Sequence, residues 1–154
     1  MRPRRQAEAD LTAAGMRPRK RFGQHFLCDE AVVRRIVETA ALTDDATVLE
    51  IGPGLGALTT MLAARARRLY LIEVDRDLVA RLRTTYADQP HVEVIEADVL
   101  DVRLDRVIPE APVTVVANLP YNIGTEVVFR LLEVRRRFPR AVLMLQREVA
   151  ERLS

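Results

Sequence analysis

The sequence has few of the residues that form disulfide bonds or bind metal ions. Its 154 residues include one cysteine, Cys28, two histidines, His25 and His91, and no tryptophan. A single cysteine cannot form a disulfide bond within the chain, and this usage favours a reducing compartment. Because the histidines lie far apart and show no metal-ligand spacing with Cys28, we expect no metal site.

Long apolar segments are also lacking. No apolar run approaches the ~20 residues that a membrane-spanning helix needs. The N-terminus is basic, but the apolar segment of a signal peptide does not follow it. Hydrophobic residues make up 49% and charged residues 30% of the chain, as in ordinary globular domains. We therefore expect a cytoplasmic protein that does not contact a membrane.

Cations other than arginine are almost absent, and the arginines are unevenly distributed. The net charge is only +2, yet basic residues gather near the N-terminus and again at Arg135, Arg136, Arg137 and Arg140. The planar guanidinium suits phosphate contacts. We expect residues 1–21 to form a basic extension that binds RNA, with a solvated tail or an arginine-rich presequence as alternatives. The candidate RNA-binding residues are Arg17, Arg19, Lys20 and Arg21.

Apolar strand patterns alternate with helical patterns along the rest of the chain. The predicted strands are Thr47–Ile51, Leu69–Val74, Val92–Glu96, Val113–Ala117 and Ala141–Leu145. The predicted helices are Glu30–Ala41, Leu55–Ala66, Arg76–Tyr86, Thr125–Arg136 and one that begins near Arg147, with Asp29 and Asp75 as caps of the first and third. This alternation predicts an α/β fold with a parallel sheet.

The stretch from Val48 to Gly56, V-L-E-I-G-P-G-L-G, joins a short apolar strand to a glycine-rich turn and a helical pattern. Gly52 and Gly54 permit positive φ and let a ligand approach the bare backbone. The following helix offers unpaired N–H groups and the positive end of a dipole. Glu73 ends the next apolar run, where a carboxylate can accept hydrogen bonds from two ribose hydroxyls. Together these features predict a nucleotide-like ligand, either a dinucleotide or S-adenosylmethionine.

A second motif, Asn118-Leu119-Pro120-Tyr121, lies at the end of the fourth predicted strand, where a doubly wound sheet binds ligands. The side-chain oxygen of Asn118 and the carbonyl oxygen of Leu119 can accept both N–H groups of a base amine. Tyr121 can stack on the flipped-out ring. Because methyl transfer from a sulfonium is an in-line displacement, positioning does most of the catalytic work. The motif favours such a transfer over a dehydrogenase, with a plain strand-to-helix loop as the alternative.

Six segments in this order resemble the KsgA-type ribosomal RNA adenine dimethyltransferases, which share a fold with the Erm methyltransferases. They are G-Q-H-F-L (Gly23 to Leu27), L-E-I-G-P-G-L-G (Leu49 to Gly56), I-E-V-D (Ile72 to Asp75), E-A-D-V-L (Glu96 to Leu100), N-L-P-Y-N-I-G-T (Asn118 to Thr125) and L-Q-R-E-V-A-E-R-L (Leu145 to Leu153). The last two segments look more like the housekeeping small-subunit enzyme than like Erm.

The resemblance implies a Rossmann-like fold that binds S-adenosyl-L-methionine and dimethylates adenine N6 in small-subunit ribosomal RNA, with full-length members monomeric. It implies that His25 and Leu27 touch the methyl donor, although many members have asparagine in place of His25. Asp98 matches the acid near the cofactor's adenine amine, and its carboxylate can accept a hydrogen bond from that amine. The alternative is that Asp98 is an acid that stabilises a turn. The other matching positions are the turn glycine Gly52, the ribose acid Glu73, the reacting-site Asn118 and the stacking aromatic Tyr121.

The resemblance runs from about Met16 to Ser154, whereas family members continue through two more strands and a helical domain. We therefore expect residues 22–154 to form an incomplete methyltransferase domain, truncated after its fifth strand, with that strand at an unprotected sheet edge. The alternative functions are an inactive module that binds cofactor or ribosomal RNA, an Erm-type large-subunit methyltransferase, and a nicotinamide-dependent oxidoreductase.

Overall fold

The structure is a computed structural model that describes Leu27 and residues 29–154. Its helices are α1 (Glu30–Ala40), α2 (Ala57–Arg65), α3 (Arg76–Thr85), α4 (Leu104–Val107), α5 (Gly124–Glu133) and α6 (Arg147–Leu153). Its strands are β1 (Thr47–Ile51), β2 (Arg68–Glu73), β3 (Val92–Glu96), β4 (Thr114–Asn118) and β5 (Arg140–Met144). The predicted candidate residues His25, Arg17, Arg19, Lys20 and Arg21 lie outside the described residues.

The five strands form one parallel sheet in the order β3-β2-β1-β4-β5. The chain moves outward from β1 to β3 and then returns to place β4 on the other side of β1. Ligands bind at such a reversal, beyond the carboxyl ends of the strands. The predicted α/β, Rossmann-like fold is confirmed. Within the described part of the chain, β5 pairs only with β4, so it is an edge strand.

Two of the helices begin where the sequence places a capping aspartate. The Asp29 carboxylate accepts hydrogen bonds from the amides of Ala31 and Val32 at the start of α1. Asp75 does the same for Asp77 and Leu78 at the start of α3. Each cap satisfies backbone donors that have no partner within the helix, which fixes where the helix starts.

Helices cover both faces of the sheet and bury the continuous apolar runs of its central strands. All five residues of β1 are buried. Its Val48 packs with Leu62 of α2 on one face, and its Leu49 packs with Val127 of α5 on the other. Burial on both faces is typical of parallel sheets and explains why these strands carry no polar alternation. Each fully buried leucine contributes about 1.5–3 kcal/mol to this packing.

The predicted bounds differ from the structure by two residues or more at two helix ends. Helix α2 begins at Ala57 rather than Leu55, because Gly56 adopts a left-handed φ of 86° and its amide donates to the Pro53 carbonyl at 2.9 Å. Helix α5 ends at Glu133 rather than Arg136. The segment after it forms a tight turn, in which the Arg137 amide donates to the Val134 carbonyl at 2.9 Å.

None of the helices in the described segment combines the length and the apolar character that crossing a membrane requires.

Candidate functional site

A cleft opens at the carboxyl ends of β1, β2, β3 and β4, at the reversal of the strand order. Its lining brings together both sequence motifs and both predicted acids. The lining residues considered below are Leu27, Glu50, Gly52, Gly54, Glu73, Asp98, Asn118 and Pro120. Because all of them except Leu27 come from the ends of four neighbouring strands and the loops that follow, the sheet itself fixes their relative positions.

The glycine turn forms the floor of the cleft. Gly52 and Gly54 have φ values of 66° and 58°, as the sequence predicted. The Gly52 amide donates to the Ile72 carbonyl at 2.8 Å, so the turn continues the ladder between β1 and β2. A Cβ on Gly52 would lie 4.0 Å from the backbone oxygen of Asn118. That distance is an ordinary van der Waals contact, so the left-handed φ is the reason for glycine at this position.

Glu73 lies at the end of β2 and is 5% exposed. Its Oε2 accepts from the Gly54 amide at 3.1 Å, and its Oε1 accepts from the Val74 and Asp75 amides at 3.0 and 3.1 Å. Burial raises the pKa of Glu73, and these three donors oppose that rise. A carboxylate has about four acceptor sites, so the backbone uses most of them. The sequence suggested that Glu73 would be open to two ribose hydroxyls, and it did not show this backbone bracing.

Glu50 is a buried acid in the cleft that the sequence interpretation passed over. It is the fourth of the five residues of β1, is 1% exposed and accepts a hydrogen bond from the Thr59 hydroxyl of α2 at 2.6 Å. Burial raises its pKa to about 8; the Thr59 bond opposes this rise and the charge of Glu73 adds to it. The sequence offered one sign of it: an acid directly after the apolar pair Val48 and Leu49 in a predicted buried strand.

Asp98 follows β3 and is exposed at the rim of the cleft. Its Oδ1 accepts from the Leu100 amide at 2.9 Å, and its backbone oxygen accepts from the amides of Asp101 and Val102. It is therefore a turn acid, as in the alternative interpretation, and also a cleft residue. The two descriptions are compatible because only one carboxylate oxygen bonds to the turn, and the other has no donor among the described residues.

The second motif forms one wall of the cleft. Asn118 is the last residue of β4, and the Leu119 amide donates to the Met144 carbonyl of β5 at 3.3 Å. Leu119 is buried, whereas Tyr121 is 50% exposed at the surface beside the cleft. Pro120 lines the cleft between them, and its carbonyl accepts from the Ile123 amide at 3.3 Å. The strand end thus fixes the backbone at Asn118, while the tyrosine ring remains accessible.

Acceptors dominate the chemistry of the cleft. Its described lining contains the carboxyl groups of Glu50, Glu73 and Asp98 and no lysine or arginine. In the described part of the chain, no group of three histidine, cysteine or acidic residues is arranged to hold a metal ion. Leu27, the one described residue of the predicted N-terminal contact pair, lies against the cleft and is partly buried. Such a lining favours a ligand that carries positive charge, hydroxyl groups and amine donors.

The sequence matches the family model described as "Ribosomal RNA adenine dimethylase" over residues 15–154. The ribosomal RNA small subunit methyltransferase A of Geobacter sulfurreducens is 48% identical over 143 residues, which cover 91% of this chain and 52% of that protein. The protein of the same name from Leuconostoc mesenteroides is 45% identical over 152 residues, which cover 96% of this chain and 52% of that protein. This chain spans about half the length of the curated relatives it matches.

Solved structures agree with this fold. The chain aligns with the 23S rRNA methyltransferase ErmE at a TM-score of 0.72 and 37% identity, covering 82% of this chain and 50% of that one. It aligns with a dimethyladenosine transferase from Plasmodium falciparum at a TM-score of 0.72 and 32% identity, covering 84% of this chain and 46% of that one. The resemblance inferred from the six sequence segments is confirmed, and the chain belongs to the ribosomal RNA adenine dimethylase family.

Proposed function

We propose that this protein transfers methyl groups from S-adenosylmethionine to the N6 amines of adenines in small-subunit ribosomal RNA. Residues 22–154 would form the cofactor-binding domain, and the basic extension over residues 1–21 would contact RNA. The family and the names of the curated relatives support this activity. The observation that carries the choice of cofactor is the composition of the cleft, which has three carboxyl groups and no cation among its described lining residues.

The charge of the cleft argues against a dinucleotide. A pyrophosphate is doubly negative and would lie in a cleft whose lining includes the carboxyl groups of Glu73 and Asp98. Among the described lining residues, none is a lysine or arginine, so compensation there would come from backbone N–H groups at the start of α2. S-adenosylmethionine instead carries a sulfonium, an ammonium and a ribose diol, which are complementary to carboxyl and amide oxygens. The acceptor-rich lining therefore fits the methyl donor and not the nicotinamide cofactor.

Glu73 and Asp98 would hold the two ends of the cofactor's adenosine. Glu73 would accept one ribose hydroxyl at its remaining acceptor site and a second by exchange for the Gly54 amide, which is at 3.1 Å. The carboxylate oxygen of Asp98 that does not bond to Leu100 would accept a hydrogen bond from the adenine amine. Gly52 and Gly54 would let the ligand approach the backbone, and His25 and Leu27 would close the site from the N-terminal side.

Asn118 and Leu119 would position the target amine. S-adenosylmethionine supplies an electrophilic methyl group on its sulfonium. The side-chain oxygen of Asn118 and the carbonyl oxygen of Leu119 would each accept one N–H of the amine, which draws its lone pair out of conjugation and aims it at the methyl group. Tyr121 would stack on the flipped-out base, consistent with its 50% exposure beside the cleft. The chain's own contribution is therefore orientation of the nucleophile rather than acid–base chemistry.

Methyl transfer to small ribosomal subunits provides the test. Subunits that lack the modification are incubated with the protein and labelled S-adenosylmethionine, and the ribosomal RNA is then digested to nucleosides for mass spectrometry. We expect N6,N6-dimethyladenosine in the small-subunit RNA and no label in large subunits. Label in large-subunit RNA would instead indicate an Erm-type activity. Binding of the cofactor without any transfer would indicate a module that holds cofactor or RNA without turnover.

A further inference from the structure

A second concave surface lies between α4 and the end of α5, outside the cleft. We call it the arginine groove, and it is lined by Arg103, Leu104, Asp105, Arg130, Glu133, Val134, Arg135, Arg136 and Arg137. Five guanidinium groups face two carboxylates there, so the groove is positively charged. No residue of the groove belongs to the lining of the cleft. The groove therefore calls for an explanation separate from cofactor binding.

Two of the arginines are fixed by the backbone. The Arg130 guanidinium donates to the Val102 carbonyl at 2.5 Å. The Arg137 guanidinium donates to the carbonyls of Ile108, Pro109 and Glu110 at 2.7, 3.1 and 3.2 Å. The Arg130 bond ties α5 to the segment before α4, and the Arg137 bonds tie the turn after α5 to the connection after α4. Both hold positive charge at the base of the groove. A fixed guanidinium loses less side-chain entropy when a ligand binds than a free one.

Three further arginines are exposed at the rim. Arg135 and Arg136 occupy the turn that follows α5, and only Arg135 bonds to the helix, at 3.3 Å from the Leu132 carbonyl. Arg103 forms an exposed two-point ion pair with Asp105 at 2.9 and 3.2 Å. Exposed pairs of this kind contribute little to stability, so Arg103 can turn toward an anion at small cost. The rim thus presents exposed cations above a fixed cationic base.

The groove lies at the far end of α5 from the reaction site. Helix α5 starts at Gly124, just after the Asn118 motif, and its ten residues rise ~15 Å before the turn that holds Arg135 and Arg136. A ligand that reaches both places must be extended and negatively charged along its length. A nucleic-acid backbone meets both conditions, since it places a phosphate on every nucleotide.

We propose that the arginine groove binds the phosphate backbone of the RNA that flanks the target adenine, an inference that rests on the proposed function. Arginine forks match phosphate oxygens in two-point contacts, and none of the described groove residues is an aromatic that would stack on bases. The groove therefore contributes affinity and orientation without sequence selectivity. An acidic protein segment would meet the same charge, but it lacks the uniform charge spacing that suits a row of guanidinium groups.

The test compares the double variant Arg135→Gln/Arg136→Gln with wild type and with Arg34→Gln/Arg35→Gln. The control removes another adjacent pair of exposed arginines, from α1. Binding of a fluorescein-labelled RNA stem–loop is followed by anisotropy over a series of KCl concentrations, and labelled poly-glutamate is titrated in parallel. Thermal unfolding and the affinity for S-adenosylmethionine should be equal in all three proteins, because the four substituted side chains lie on the surface outside the cleft.

We expect the groove variant to bind RNA more weakly and to reduce the slope of log affinity against log salt by about 1.5, with wild-type behaviour in the control. A slope equal to that of wild type would overturn the groove proposal and leave the proposed function standing. Loss of poly-glutamate binding with RNA binding intact would overturn it in favour of an acidic protein partner. Failure of the wild type to bind RNA at all would contradict both proposals. Binding of S-adenosylmethionine with the same affinity by all three proteins would still support the cofactor site.

Discussion

The Gly54 amide donates to Glu73 Oε2 at 3.1 Å and thereby joins the turn after β1 to the end of β2. The other carboxylate oxygen of Glu73 holds the amides of Val74 and Asp75, at the start of the segment that leads into α3. One side chain therefore braces the glycine turn and also faces the cleft. Stability of the turn and affinity for the cofactor should depend on the same carboxylate.

Glu73→Ala should lower both the free energy of unfolding and the affinity for S-adenosylmethionine. Loss of the acceptor leaves three backbone N–H groups without a partner, which we expect to cost about 1 to 3 kcal/mol of stability. Glu73→Gln keeps one oxygen but presents an NH₂ group to Gly54 and to the ribose, and should weaken binding by about 2 to 4 kcal/mol. Calorimetric titration and urea unfolding measure the two effects.

Glu96→Gln is the matched control for Glu73, because Glu96 ends the neighbouring strand in register with Glu73 and is exposed outside the cleft lining. Its titration with S-adenosylmethionine should match that of wild type. Equal affinities for wild type and Glu73→Gln would contradict the ribose assignment.

Stability should fall with rising pH because of Glu50. The pKa of its carboxyl is raised from 4.5 to about 8 by burial, so the folded state binds its proton more tightly than the unfolded state does. The contribution is fully present below pH 4.5 and is lost as the pH rises toward 8. Its total size is roughly 3 to 5 kcal/mol. Glu73 acts in the same direction, since burial also raises its pKa.

Glu50→Gln should remove most of that pH dependence while keeping an acceptor for the Thr59 hydroxyl. The measurement is the urea midpoint of both proteins across a pH series, from which the difference in the free energy of unfolding is taken. We expect the variant to gain stability relative to wild type as the pH rises. Parallel curves for the two proteins would show that Glu50 is not protonated in the folded state.

Asn118→Ala should slow methyl transfer far more than it weakens RNA binding. Removing one oriented hydrogen-bonding group from a transition state typically costs about 10²–10³-fold in rate. RNA affinity comes mainly from phosphate contacts and should change little. Tyr121→Ala provides the contrast, because loss of stacking should weaken capture of the base by roughly 1 to 3 kcal/mol. Single-turnover rates at saturating and limiting RNA separate the two effects, and a parental rate in Asn118→Ala would rule out the mechanism.

The basic N-terminal residues should account for part of the salt dependence of RNA binding. If each makes one phosphate contact, replacing all four by alanine should reduce the slope of log affinity against log salt by about 3. The measurement is anisotropy of a labelled RNA stem–loop over a salt series. An unchanged slope would favour a solvated tail. The residues concerned are Arg17, Arg19, Lys20 and Arg21.

The positions of the strands and the place of the cleft follow from local patterns. Apolar runs bounded by turn residues located all five strands within a residue, and Asp29 and Asp75 marked the helix starts because capping is a local interaction. The glycine turn was also predictable, since positive φ is a property of the residue itself.

Contacts between distant elements could not be predicted in the same way. The Glu50–Thr59 bond depends on how α2 packs on β1, and the anchoring of Arg137 depends on where the connection after α4 passes. Glu73 was identified as a ribose acid, but its three backbone donors become evident only when the turn and β2 are placed side by side. Tertiary packing decides whether a charged side chain is held by backbone hydrogen bonds or is open to a ligand.

The most direct test of the acidic cleft as a methyl-donor site is calorimetric titration of the protein with S-adenosylmethionine and, separately, with NAD. Because carboxyl groups and no cations line the described cleft, we predict that S-adenosylmethionine binds and that NAD binds more weakly or not at all. Tighter binding of NAD than of S-adenosylmethionine would contradict the proposed cofactor and, with it, the proposed methyl transfer.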